Sequence, residues 1–228
     1  MDLLALETRI AGSVNMDLSD SAEKALIDGW INEAVEQFLG ETGVYRAVDT
    51  MDTTADEDDY TLPLAVIAMK HLIVSSNGEE IPLEPLNEFD LLTRRRTNST
   101  GTYPTHYALS GANLLRLWPS PASVMTLILD FVPYPTSALA ISTDDPSSVT
   151  HGGVPTLLHP ALEAYGKWKA CEFDDDLSSK EGEVFKAEWD TGVAKARARI
   201  NRMRGRWAPA RPGRRQLFPV SRGVDRGF

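Results

Sequence analysis

Side chains able to do chemistry are scattered along this chain rather than set at motif spacing. The acidic runs Asp56-Glu57-Asp58-Asp59 and Asp174-Asp175-Asp176 hold enough oxygen for a hard cation. Neither alternates its ligands or carries the glycine on which a calcium loop turns, so both read as solvated loop acid. His71, His106, His151 and His159 have no H-E-x-x-H spacing and no cysteine partners, which argues against zinc. His71, set among apolar residues, reads as structural. Cys171 is the single cysteine. It excludes an internal disulfide framework, fits a reducing compartment and reads as buried filler. The sequon at Asn98-Ser99-Thr100 is then accidental. The stretch Leu109-Ser110-Gly111-Ala112-Asn113 is not G-x-S-x-G, and neither glycine-rich nucleotide motif occurs. The expectation is no catalytic residue, no metal and no cofactor. A hydrolase built on residues such as His106 or Asp130 ranks third among the readings.

The strongest signal is electrostatic. Lys and Arg number 11 from Lys195 onward, against Asp225 alone, so that segment carries about +10. The whole chain carries −10, which leaves about −20 on residues 1–194. A body so acidic repels nucleic acid. The terminal stretch "NRMRGRWAPARPGRRQLFPVSRGVDRGF" mixes arginine with Pro, Gly and aromatics and cannot build a core of its own. A solvated tail has little use for Trp207, Leu217, Phe218, Val220 and Phe228. A nucleic-acid arm is opposed by the body's charge. The favoured reading is a docking arm whose apolar anchors and arginines gain order on a partner.

Elements that could carry such an arm follow from periodicity. Leu3, Leu6, Ile10 and Val14 predict a helix over 1–15. Ser19, Asp20 or Ser21 caps a second, with the stripe Leu26, Ile27, Trp30, Ile31, Ala34, Val35 and Phe38, and Gly40 and Gly43 as its stop. From Val44 the period changes to β. Asn77-Gly78 predicts one hairpin and Ser110 to Asn113 another, with a short helix in "EPLNEFDLLTRRR" and a last strand in "SVMTLILDFVPYP". Helices return with "PTLLHPALEAYGKWKACEF" and with the stripe Phe185, Trp189, Val193, Ala196, Ile200 and Met203. Pro209 and Pro212 forbid continuation. Trp30, Trp118, Trp168 and Trp189 read as packing residues, whereas Trp207 lies beyond any expected core. The N-terminus has no cationic lead-in and reads as no signal peptide, and no apolar run is long enough to span a membrane. The expected class is α+β: a helical bundle from residues 1–43 and 143–201, an antiparallel β module inserted at 44–142, and an extended arm at 202–228.

The order and spacing of "MDLLALETRI", "LIDGWINEAVEQFL", "DDYTLPLAVIAMKHLIV", "YPTHYALSGANLLRLWPSP", "LILDFVPYPTSAL" and "GVPTLLHPALEAYGKWKACEF" cover residues 1–190. With them the chain resembles the head–tail adaptor, or connector, proteins of tailed bacteriophages. The resemblance implies a non-enzymatic virion protein at the head–tail junction, assembled in the host cytoplasm as a ring, commonly of twelve copies. It implies as partners the portal protein, tail or nozzle proteins and copies of itself. Viral DNA would pass during genome ejection without sequence-specific binding, and no membrane is involved. It makes residues 202–228 the portal-docking arm, with Arg202, Arg204, Arg206, Trp207, Arg211, Arg214, Arg215, Phe218, Arg222 and Phe228 as its binding residues. The alternative is a ligand- or glycan-binding β module used in host attachment, with Tyr103, Tyr107 and Trp118 as an exposed platform.

Overall fold

The computed structural model describes residues 1–76, 78–95, 100–173 and 179–207. The protein is α+β: helices from both ends of the chain share one core, and the strands between them form a sandwich with a second core. Helix α1 (Leu3–Val14) starts where Asp2 accepts the Ala5 N–H at 3.0 Å, and its stripe Leu3, Leu6, Ile10 and Val14 is buried. Helix α2 (Ser21–Thr42) is capped by Asp20, which accepts the Ala22 N–H at 2.7 Å. It ends at Gly43, whose φ of 58° lets its N–H reach the Leu39 carbonyl, a left-handed turn that a side chain would resist. Helices α4 (His159–Phe173) and α5 (Ser179–Trp207) form the C-terminal hairpin. Ile27, Ile31, Ala34, Val35 and Phe38 of α2 meet Leu162 and Tyr165 of α4 and Trp189, Val193 and Ala196 of α5 in this core. No helix among the described residues is long and apolar enough to cross a membrane.

Strands β1 (Ala47–Asp52), β3 (Val66–Ser76), β4 (Glu79–Pro82) and β10 (Thr126–Pro133) make one antiparallel sheet in the order β1-β10-β3-β4. A second sheet has the order β2-β8-β7-β5, from β2 (Asp59–Thr61), β5 (Glu84–Pro85), β7 (His106–Ser110) and β8 (Leu114–Trp118). Alternate residues of both face inward. Leu72, Val74, Leu127, Leu129 and Phe131 come from the first sheet; Tyr60, Tyr107, Leu115 and Leu117 come from the second. The second hairpin turns at 111–113 as expected; in the first, Ser76 pairs with Glu79, and Asn77 lies outside the described residues. The module is not wholly antiparallel. β5 pairs parallel to β7, and β6 (Thr100–Gly101) pairs parallel to β9 (Ser120–Pro121). Helix α3 (Glu88–Arg95) supplies the crossover that a parallel β5–β7 pair needs.

The two cores meet at one end of the first sheet. Val132 follows Phe131 on β10, so strand alternation turns it to the opposite face of the sheet and into the helical core, where Ile67 and Ala68 also pack; the register of β10 on β3 shifts on both sides of the Phe131–Val132 pair. The strands end at Pro133, and the connection after them contributes to the helical core. Leu139 and Val154 are buried there. Asn32 donates to the Leu139 carbonyl at 3.0 Å and accepts its N–H at 2.8 Å, imitating a strand pair. His159, fully buried, holds the Val154 carbonyl through Nε2 at 2.9 Å. Burial lowers its pKa, so the imidazole stays neutral.

Two expectations about single residues are corrected. His71 is exposed, because period-2 alternation from Leu72 and Val74 turns it to the outer face opposite Asp130. Tyr107 is only 5% exposed and lies inside the sandwich, so the platform of Tyr103, Tyr107 and Trp118 does not exist as one surface. Trp118 and Tyr103 are half-buried.

Among the contacts of α1 with its neighbours, one is a close approach to α4 and one an ion pair with α2. A Cβ at Gly166 of α4 would sit 2.4 Å from Ile10 Cδ1, so the helices approach as closely as glycine permits. Gly166→Ala should cost about 1–3 kcal/mol in urea denaturation, and Ile10→Val, which removes that methyl, should recover part of it. Additive losses would show that the two residues do not share the contact. Lys24 Nζ lies 2.5 Å from Glu7 and 2.8 Å from Asp28. Burial, then hydrogen bonding to Asp28, raises the pKa of the nearly inaccessible Glu7; hydrogen bonds to Asp28 and Glu7 raise that of Lys24. A raised carboxylate pKa means that the folded state binds the proton more tightly, so Glu7 opposes folding increasingly as pH rises from its unfolded to its folded pKa. Lys24→Met leaves two facing carboxylates. It should destabilise by about 1–3 kcal/mol near neutral pH, a figure reduced for the partial exposure of Lys24. The deficit should narrow at about pH 4–5, where Glu7 can take up a proton. An equal deficit at both pH values would show that the loss is not electrostatic.

Candidate functional site

The expected chemistry does not converge in space. Asp130 faces outward on the first sheet and pairs with Arg46 at 3.1 Å, whereas His106 faces outward on the second, beneath α3. The sandwich core lies between them. In the acidic run 56–59, Asp58 and Asp59 are taken by Arg95 at 3.1 and 2.7 Å, and Asp59 also meets Arg116 at 3.4 Å. Residues 174–176 lie outside the described residues. Among the described residues no three His, Cys, Asp or Glu side chains gather as metal ligands. Cys171 is half-buried against the helical core.

Helix α5 is the element that leads to the cationic terminus. It has 29 residues against 15 in its partner α4. Packing along their hairpin runs from Gly182, beside Cys171, to Gly192, where a Cβ would sit 2.5 Å from that of Ala161. Trp189, Val193 and Ala196 are buried, Ile200 is half-buried, and Asn201 and Arg202 are exposed. Burial along the helix thus falls away from Ala196 to Arg202. Arg197 fastens the exit: its Nε donates to the Glu41 carbonyl at 2.9 Å and its Nη2 to the Glu41 carboxylate at 3.1 Å. That carbonyl is among those at the end of α2 that lack a partner within the helix.

The expected arm begins too early. Arg202, Arg204, Arg206 and Trp207 belong to helical backbone, since no proline interrupts the chain before Pro209. Arg202 is exposed, its Nε 3.4 Å from the Ala198 carbonyl one turn back. Arg211, Arg214, Arg215, Phe218, Arg222 and Phe228 lie outside the described residues.

Sequence periodicity gave no warning of two surfaces. The first is a groove of about 590 Å3 between the start of α4 and the outer side of α5. Leu157 and Val184 form its walls, each 56% exposed, over a floor of Leu158, Ala161 and Gly192. Lys195 and Arg199 stand at its rim, one helical turn apart, with no ion-pair partner among the described residues. Glu188 is the single acid in its lining. Gly192, by bringing α5 close to Ala161, sets the depth of this floor.

The second surface is α3, which lies on the outer face of the second sheet. Leu91 is fully buried, as is Ala108 on the strand beneath. Ion pairs secure the helix at both ends. Glu88 accepts from Ser110 at 2.7 Å and Arg116 at 2.6 Å, while Arg95 holds Asp58 and Asp59. Arg94 turns inward over the Trp118 ring, 5.2 Å from its centroid. The outward side keeps two large apolar residues among its polar ones: Phe89 is 78% exposed and Leu92 41%. Burying one face of an eight-residue helix under ion pairs has left an aromatic anchor in water.

Comparison with known proteins adds an identity. The family model for the SU10 adaptor protein matches residues 1–216. No curated protein matches the chain. The chain belongs to the SU10 adaptor protein family, which places it among structural bacteriophage proteins.

Proposed function

We propose that this adaptor joins the portal to the tail as a ring of copies, twelve in number, anchored on the portal by its cationic C-terminal residues. The observation that carries the reading is the overhang of α5. At a rise of about 1.5 Å per residue the helix is on the order of 44 Å long, about twice the length of α4. Its charge changes sign along that length: acids at Glu181, Glu183, Glu188 and Asp190 give way to Lys195, Arg197, Arg199 and Arg202. Residues 208–228 continue the series with five arginines and one aspartate. Fully extended, those 21 residues would reach about 70 Å from the end of the helix. Arginine forks pairing with carboxylates of the portal, with Phe218 and Phe228 as apolar anchors, fit this composition.

The charge of the body supports the second half of the proposal. About −20 on residues 1–194 makes a lumen that passes DNA without holding phosphate. A surface of that sign also keeps the cationic terminus as the one strongly attractive part of the molecule for an acidic partner.

Deleting residues 208–228 should leave the body folded, with an unchanged melting transition, and reduce binding to the portal by at least about tenfold, since several charge-assisted contacts are lost at once. The remaining affinity of intact protein should fall as salt is raised. Portal binding unaffected by the deletion would defeat the anchoring role.

A further inference from the structure

The geometry points to a contact between copies in which Phe89 and Leu92 of one chain fill the groove between α4 and α5 of the next. The contact rests on the ring reading above and names surfaces through which neighbours would touch. Each half is incomplete alone. The groove offers apolar walls at Leu157 and Val184, a floor deepened by Gly192, and a cationic rim at Lys195 and Arg199. Helix α3 offers Phe89 and Leu92 three residues apart, hence on one side of the helix, with Asp90 exposed between them and Glu84 exposed just before it. Apolar anchor meets apolar cleft, and carboxylate meets the unpaired ammonium and guanidinium.

Charge selects this occupant over the chain's own terminus. Residues 208–228 carry five arginines against one acid, the wrong sign for a rim of Lys195 and Arg199. Rigidity selects it as well. Ion pairs from Glu88 and Arg95 fix α3 to the sandwich, so seating Phe89 immobilises little that was free. The chemistry is that of an interface hot spot, with a central aromatic in a desolvated pocket and polar groups around it.

The test uses full-length chains carrying Phe89→Asp or Val184→Asp, both at exposed positions, followed by sedimentation velocity up to about 1 mM. Circular dichroism and melting should match the unaltered protein. Unaltered chains should associate with rising concentration, and each variant alone should stay monomeric. A mixture of the two variants holds one sound anchor and one sound groove, so it should form a heterodimer and stop there. The proposal fails if the unaltered chain does not associate, if either variant associates like the unaltered chain, or if the mixture stays monomeric. Portal binding by the chain lacking residues 208–228 is a separate measurement, so failure here is distinguishable from failure of the anchoring role.

Discussion

Trp189 is where the two ends of the chain become one body. Its ring stands edge-on to Tyr165 of α4, with centroids 4.9 Å apart, and to Phe38 of α2 at 5.6 Å. Tyr165 is fully buried, and Trp168 closes the cluster at 5.4 Å. Edge-to-face packing of this kind adds to the large apolar area that each ring already removes from water. The strands between α2 and α4 are thereby inserted between helices that share one core. Loop-closure entropy grows only with the logarithm of length, so a large insertion strains the bundle little more than a short one. The insertion then needs its own core, which the two sheets supply. A single irregular strand, β10, serves both: Leu127, Leu129 and Phe131 stay in the sandwich while Val132 faces the helices.

The same junction makes the charge distribution mechanical rather than statistical. Helix α5 needs an apolar stripe only as far as it touches α2 and α4, and that stripe thins after Ala196. Beyond it, side chains answer to water, to the negative end of the helix dipole and to whatever partner approaches. Cations suit all three. Arg197 shows the transition in one residue, since it still serves the fold by satisfying Glu41 at the end of α2. Arg202, about one and a half turns later, reaches the Ala198 carbonyl of its own helix. A helix that outgrows its packing partner is an economical way to carry charge away from an acidic body.

Most of the fold was legible because its signals are local. The α1 stripe, the Asp20 cap, the Gly43 stop, the pairing of β3 with β4 and the turn at 111–113 each depend on a few neighbouring residues, and each lies where spacing put it. What escaped depends on contacts between distant segments. Asn32 lies off the apolar stripe of α2, yet it binds Leu139, 107 residues further along the chain. His71 and Tyr107 exchanged expected environments because one residue of phase decides which sheet face is wet. The parallel β5–β7 pair requires knowing that α3 crosses over the sheet. The groove was invisible for the same reason: its walls come from Leu157 and Val184, on separate elements, and its floor exists only because Gly192 meets Ala161. The start of the arm was misjudged by treating arginine and Trp207 as signs of extended chain, whereas only Pro209 has the stereochemistry to end a helix.

Symmetry is the last constraint. The anchor on α3 belongs to the sandwich, and the groove belongs to the helical hairpin, so the two are different surfaces of one chain. Contact between unlike surfaces is heterologous, and repeating it generates a closed ring when the rotation per copy divides the circle, or an open filament when it does not. A soluble chain with this pairing would risk the filament unless the contact were weak in isolation. One aromatic, one leucine and a few rim charges make such a weak contact, strong only when many copies are held together. Anchoring each copy by its own cationic terminus would supply that effective concentration, because a tethered neighbour meets the groove far more often than a free one. On these two proposals the devices would divide the work by chemistry: long-range charge would bring copies to a common platform, and short-range apolar fit would set the angle at which they stand beside one another.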